Sequence, residues 1–373
     1  MRVTCAMASA CVAALMLAGC GGDGGSGGAA ANGTPGVDGT DGNSGAGDAP
    51  AFSLAWSEYP SWSVFGVAHE KGLLNKEEGQ LGEMEKKWGV DVVLRQLDYD
   101  PCLTAYGTGE VDAVCMTNMD ALAPAGGIAS VAILPTSTSV GADACITAGV
   151  EDLAALRGVT TYGLERSVSQ YAFERCLEKQ DMNPADFPFA NMDPGIAATA
   201  MQSGDEEIKS IMVWNPFAMQ TLRDREGSKR LFDSSMIPEE IIDMVVLSKS
   251  SLEKPGGEAF AHCLIDTFYA VNGMLAEGAE GRDETLVMLG EKFSSLGLED
   301  MKQVVTETRM YADAVAGQAL FNDEAFRTET MPTVVKFCVD HEIIDEAPTL
   351  SFGDDSADLE FIADYMKGVA EKK

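Results

Sequence analysis

Four residues able to grip a small molecule crowd the stretch Trp56 to Trp62: Trp56, Glu58, Tyr59 and Trp62. Indole and phenol rings stack on flat molecules and also donate hydrogen bonds, and a carboxylate pairs with an amino group or amidine. Core packing under the next helix competes for the aromatic residues, and simple solvation competes for Glu58. Asn118 and Asp120, in Thr117-Asn-Met-Asp120, either cap a helix or reach a ligand. Ser167 and Ser169 stand at a helix start, where free N–H groups bind carboxylate, sulfonate or phosphate, and capping explains a serine there equally well. Trp214 and Asn215, followed by Pro216, complete the set, with Trp214 the strongest stacking candidate. Arg166 is the only basic residue in these loops. That favours a neutral or cationic, heteroaromatic nitrogen compound over an obligate anion, although backbone amides alone also bind anions.

This chemistry is non-covalent. The sequence has no Gly-x-Ser-x-Gly, no His-Glu-x-x-His and no Gly-rich phosphate loop, so an enzyme is not expected. His69, His262 and His341 are scattered, and no Cys-x-x-Cys occurs, so neither a metal site nor a cofactor is expected. Cys102, Cys115, Cys145, Cys176, Cys263 and Cys338 are either buried thiols or disulfides. Six cysteines allow fifteen full pairings, and the sequence does not choose among them.

The elements that must position these residues read as alternating strands and helices. Strands are expected at 52–56, 90–97, 112–116 and 130–134, with helices at 62–74 and 101–106. The run 142–148 leads out of this first set. A second set has strands at 187–191, 208–214 and 231–232 and helices at 168–180 and 196–202. The β-rich run 243–247 carries the chain back, and from Gly256 the pattern is helical almost to the end, over 258–276, 283–294, 300–316 and 323–341. Repeated βα units imply an α/β fold with sheets covered by helices, and two sets joined by two crossings imply a cleft. The expected lobes are 51–147 with 245–373, and 148–244.

Charge and the N-terminus bound the setting. Fifty-nine acidic against 26 basic residues give a net charge of −33, which argues against a nucleic-acid partner. Arg2, an apolar run from Thr4 to Leu17 and the sequence Leu17-Ala-Gly-Cys20 fit a signal peptide over 1–19. Small residues before Cys20 resemble the bacterial lipobox, which implies diacylation of Cys20 and a membrane anchor. The segment from Gly21 to Pro50 holds twelve glycines and no aromatic residue, and reads with Cys20 as a disordered tether. Its glycine at every third position from Gly33 to Gly45 is too short and proline-poor for a triple helix.

An ordered series of short motifs resembles one family. Trp56-Ser-Glu-Tyr-Pro60 followed by Ala68-x-x-Lys-Gly-Leu73, then Gly109-Glu-Val-Asp-Ala113, Leu153-x-x-Leu-Arg-Gly158, Ser203-Gly204 and Val213-Trp-Asn-Pro216 are similar to the periplasmic substrate-binding proteins for nitrate, taurine, aliphatic sulfonates and thiamine-pyrimidine precursors. The resemblance implies the type II periplasmic-binding fold, two α/β lobes closing on a ligand by a hinge, with the C-terminal helices in the first lobe. It also implies a monomer that delivers a small polar solute, heteroaromatic nitrogen- or sulfonate-containing, to an ABC permease in the inner membrane. An extracytoplasmic sensor or scaffold acting through a protein partner is the alternative on the same fold.

Overall fold

A computed structural model describes residues 49–353 and 356–370. The expected signal peptide, Cys20 and nearly all of the tether lie outside them. In chain order the strands are β1 (Ala51–Trp56), β2 (Asp91–Gln96), β3 (Ala113–Thr117), β4 (Ser130–Ser139), β5 (Asp143–Ala148), β6 (Thr161–Gly163) and β7 (Phe189–Asn191). They continue with β8 (Ser210–Trp214), β9 (Ser228–Asp233), β10 (Ile242–Ser248), β11 (Thr308–Met310), β12 (Leu350–Ser351) and β13 (Leu359–Phe361).

These strands form two sheets, an eight-stranded one ordered β12-β13-β4-β10-β3-β1-β2 with β11 on β4, and a five-stranded one ordered β7-β6-β8-β5-β9. β1 runs parallel to both β2 and β3, and all three present apolar residues to both faces, as sheets covered by helices do. The helix Gly257–Leu275 is one cover. It is buried nearly all round, and its Phe260 stacks on Phe52 of β1 at 4.7 Å.

The chain changes sheets twice, at 140–142 and at 234–241. Both crossings come earlier than the boundaries expected at 147/148 and 244/245. The run read as an exit from the first lobe is β5, an inner strand of the second sheet, paired to β8 and β9. Alternation and β-propensity mark a strand without saying which sheet it joins. Gly141 lies in the first crossing at φ +102°, a conformation that side-chain-bearing residues rarely adopt.

The C-terminal region is less helical than its periodicity suggests. The expected helix 300–316 is broken into Leu298–Glu307 and Ala314–Phe321 by β11, which pairs antiparallel with Ser137–Ser139. β4 is five residues longer than expected, and its far half needs a partner for its free backbone edge. β13 supplies the same service to Ser130–Ala132. Among the described residues all six cysteines, from Cys102 to Cys338, are buried free thiols.

Candidate functional site

The cleft is built where the carboxyl ends of β1, β2 and β3 face the second sheet, the place where ligands sit in open α/β folds. Each strand end contributes. The loop after β1 brings Tyr59 and Trp62, the helix start after β2 brings Tyr99, and β3 ends on Thr117. Asp143 opens β5, Trp214 closes β8, and Val168 begins the helix Val168–Glu178. The returning crossing ends on Ile241, and Asp243 follows it as the second residue of β10. Together these residues line a partly open pocket whose interior has room for about one water molecule.

Three rings form a connected wall. Trp62 stacks on Tyr99 with centroids 5.2 Å apart and planes 18° from parallel, and Trp214 meets Tyr99 edge-on at 5.5 Å. Tyr99 is fixed from behind: its hydroxyl donates to Asp120 Oδ2 at 2.7 Å and accepts from the Thr117 backbone N–H at 3.1 Å. Thr117 Oγ1 donates to the same carboxylate oxygen at 2.8 Å.

Two aspartates complete the lining. A register shift between Asp243 and Met244 where β10 pairs with β4 sets Asp243 opposite Ser137, whose hydroxyl donates to Asp243 Oδ2 at 2.5 Å. Such irregularities commonly re-aim a side chain beside a site. Ser137 is in turn 2.9 Å from Ser61 Oγ, which is 3.0 Å from Thr136 Oγ1. Burial pushes the Asp143 carboxyl up to about 7, against a hydrogen bond from Ser139 and with the charges of Asp120 and Asp233 adding to the rise. Burial likewise raises Asp243 well above the usual carboxylate range, with the Asp143 charge adding to it. Asp120 rises to about 6 through burial, partly offset by its hydrogen bonds to Tyr99 and Thr117. No Lys, Arg or His lines this cavity.

Two donors on the lining lack partners. Tyr59 is 3% exposed, and its hydroxyl stands among Asp243, Ser139 and Thr308 without hydrogen-bond geometry to any of them. The Trp62 indole N–H, on a residue 2% exposed, is also unpartnered. A buried polar group left so costs about 1–3 kcal/mol, which a bound molecule can recover.

Tyr99 and Trp214 also line a second, outer space of about 720 Å³. Its other walls include Glu58, Asp98, Asp100 and Asp193, again with no basic residue. Glu58 accepts from the Trp214 indole N–H at 3.2 Å, and burial raises its carboxyl pKa.

The structure brings together only part of the expected set. Tyr59, Trp62 and Trp214 line the cavity, Asp120 buttresses it and Glu58 stands at its outer side. Trp56 packs edge-on against Phe293 at 5.5 Å, outside the cavity lining. Asn118 brackets the returning crossing, donating to the Glu240 carbonyl and accepting from the Ile242 N–H, both at 3.1 Å. Ser167 is a helix cap, accepting from the Ser169 N–H at 3.2 Å, while the buried Ser169 hydroxyl has no partner. Asn215 donates to Glu307 Oε2 at 2.8 Å, across the lobes and away from the cavity. Arg166 reaches the Glu342 carbonyl at 2.5 Å instead of the cleft. Sequence reasoning missed Tyr99, Asp143 and Asp243. The signal for the last two was present: each is a lone carboxylate at the start of an otherwise apolar strand.

Solved structures share this fold. The alkanesulfonate-binding protein of Xanthomonas axonopodis pv. citri, bound to MOPS, matches with a TM-score of 0.63 at 13% identity, over 79% of this chain and 94% of that one. The fold is that of the periplasmic binding proteins. The periplasmic aliphatic sulphonate binding protein of Escherichia coli has the same fold, with a TM-score of 0.61 at 15% identity over 80% of this chain and 89% of that one. So does the ligand-binding component of an ABC-type import system from Staphylococcus aureus, at 0.58 and 11%, over 79% and 93%. No family model and no curated protein matches the sequence. At such identities the periplasmic-binding fold is what is shared.

Proposed function

We propose that this chain is an extracytoplasmic solute-binding lipoprotein, anchored through Cys20, that captures a small polar solute and passes it to an ABC permease. The observation that carries this reading is the cavity at the carboxyl ends of β1, β2 and β3, walled by rings from both sheets and lined by unpartnered buried donors. A small-molecule site of this kind is concave, largely apolar and supplied with a few polar groups that fix orientation. The likeness to sulfonate-binding and import-system proteins supports a binding protein in preference to an enzyme.

Native mass spectrometry of the purified chain, followed by titration of any copurifying molecule, tests the binding role. The expected result is one small solute per chain, released unchanged on denaturation. Turnover of that molecule, or a pocket that stays empty against a broad solute panel with no shift in Tm, refutes it. Anchoring is checked separately: fatty-acid labelling should disappear in Cys20→Ser while the folded region still binds its solute.

A further inference from the structure

Two of the solved structures named above are sulfonate-binding proteins, and sulfonates are anions, yet the cavity of this chain is built from carboxylates and rings. We propose that its solute is a small organic cation with N–H donors, whose primary ammonium head, about the size of a water molecule, sits between Asp143 and Asp243 beside Trp62 and Tyr99. This deepens the solute-binding reading and rests on it.

Four observations point the same way. First, Asp143 and Asp243 both line a space with no basic side chain on its walls, and among the described residues neither carboxylate has an ion-pair partner. Carboxylates withdrawn from water in this way require a counter-charge or must stay protonated. Second, each has one serine beside it, Ser137 donating to the Asp243 carboxylate, which leaves further lone pairs on both carboxyl groups for N–H donors. Third, the Tyr59 hydroxyl, buried and unpartnered beside the two carboxylates, can accept from the same N–H head while donating to Asp243. Fourth, Trp62, Tyr99 and Trp214 border the same space, and electron-rich rings beside a desolvated cation attract it.

The entrance agrees with the interior. The outer space that shares Tyr99 and Trp214 with the cavity is walled by Glu58, Asp98, Asp100 and Asp193. Carboxylates of one sign around a cleft raise the local concentration of cations and repel anions. A sulfonate would pass that ring and then meet two more carboxyl groups with no lysine or arginine to offset them. A bare metal ion is a poorer fit, because no group of three His, Cys, Asp or Glu side chains able to hold one occurs among the described residues. The Trp62 N–H, the other unpartnered donor, calls for one acceptor atom on the solute beyond its cationic head.

The test is a thermal-shift and calorimetric panel on the full chain after EDTA dialysis at pH 8, with primary alkylamines, alkylguanidines, amidines, their trimethylammonium counterparts and matched alkanesulfonates. The expected hits are N–H-bearing cations, with affinity falling at least about tenfold in both Asp143→Asn and Asp243→Asn. Loss of the hit on permethylation is expected as well, since a trimethylammonium head offers no N–H. Folding of both variants is verified by their far-UV spectrum and melting curve, and Tyr59→Phe, which keeps both carboxylates, should weaken the same ligands more mildly. Cation binding that survives both asparagine substitutions overturns the proposal, as does a panel in which no cation shifts the melting curve. If sulfonates bind instead, solute capture stands and only the ligand class falls. If no compound of either sign binds and native mass spectrometry finds no solute, both fall.

Discussion

Asp143 and Asp243 stand at matching points just past the two crossings between the sheets, one opening the first strand of the second sheet and the other near the start of the strand that returns to the first. Both face the same cavity, and the charge of each disfavours ionisation of the other groups buried there. Two carboxylates at the hinge strands therefore make the closed cleft electrostatically costly until something positive fills it. The cost is set by position: neither residue has water to fall back on.

One consequence concerns stability without ligand. The Asp143 carboxyl goes from an ordinary value near 3.8 when unfolded to about 7 when folded. A raised folded value means that the group's stabilising contribution is complete below about pH 3.8 and is lost as pH rises through about 7. Asp143→Asn removes that loss. Its Tm should match wild type near pH 4 and exceed it at pH 8, by on the order of 2 kcal/mol or a few degrees. Melting curves of ligand-free protein across this range check it, and a variant less stable than wild type at pH 8 contradicts the electrostatic account.

The Tyr99 hydroxyl is a second test point, because the ring and the hydroxyl do separate things. Tyr99→Phe keeps the stack on Trp62 but strands the Thr117 N–H and strips one donor from Asp120. The expected loss is about 1–3 kcal/mol in urea unfolding, the cost of leaving buried groups unsatisfied. The Asp120 carboxyl, now at about 6, should titrate higher still, since the lost bond was one that lowered it. An unchanged urea midpoint would show that Asp120 does not hold the ring.

Much of this architecture was legible in the sequence, and its gaps have physical causes. Strands such as β1, β8 and β10 announce themselves because burial on both faces demands continuous apolar runs, and the glycine at Gly72, with φ +72°, marks the helix end before it. What the residues do not carry locally is partnership. Nothing within 142–148 says that β5 belongs to the second sheet, and nothing near Thr308 reveals the bare edge of β4 that turns Thr308–Met310 into a strand. The site divides the same way. Tyr59, Trp62 and Trp214 were visible as loop aromatics, whereas Asn118 and Asn215 turned out to bond residues more than 90 positions away. Asp143 and Asp243 gain their meaning only when two hinges bring them to one space.

Thiol chemistry gives an independent check on the packing. All six cysteines of the folded region are buried and unpaired, and burial pushes Cys102, Cys145 and Cys338 up to about 12 and the others higher. A thiol held protonated and out of water reacts slowly. Ellman's reagent should find none of the six in native protein and all of them in denaturant, and added reductant should leave Tm unchanged. Rapid native labelling or a reductant-sensitive Tm would show a different arrangement.

The clasp at Glu307 offers the sharpest test of how the lobes are held. Glu307 ends the helix that leads into β11, on the first sheet, and accepts from Asn215 Nδ2 at 2.8 Å and from Gln303 Nε2 at 2.9 Å. Arg230, on β9 of the second sheet, pairs with it at 2.9 Å. Asn215 is fully buried and Glu307 nearly so, so water replaces little of what is lost when the carboxylate is removed. Breaking one partner of a buried pair costs about 3–5 kcal/mol at most sites, and here Arg230 retains Asp233, at 3.2 Å, which moderates the loss to roughly 2–3 kcal/mol. Because the clasp spans the lobes, Glu307→Ala should also enlarge the radius of gyration of the ligand-free chain in small-angle scattering. Solute affinity should fall about tenfold, the equivalent of 1.4 kcal/mol of closure energy. Arg230→Ala should follow in the same direction with a smaller effect. A Glu307→Ala protein that melts lower but scatters and binds as wild type would reduce the clasp to local packing and leave closure to the cavity itself.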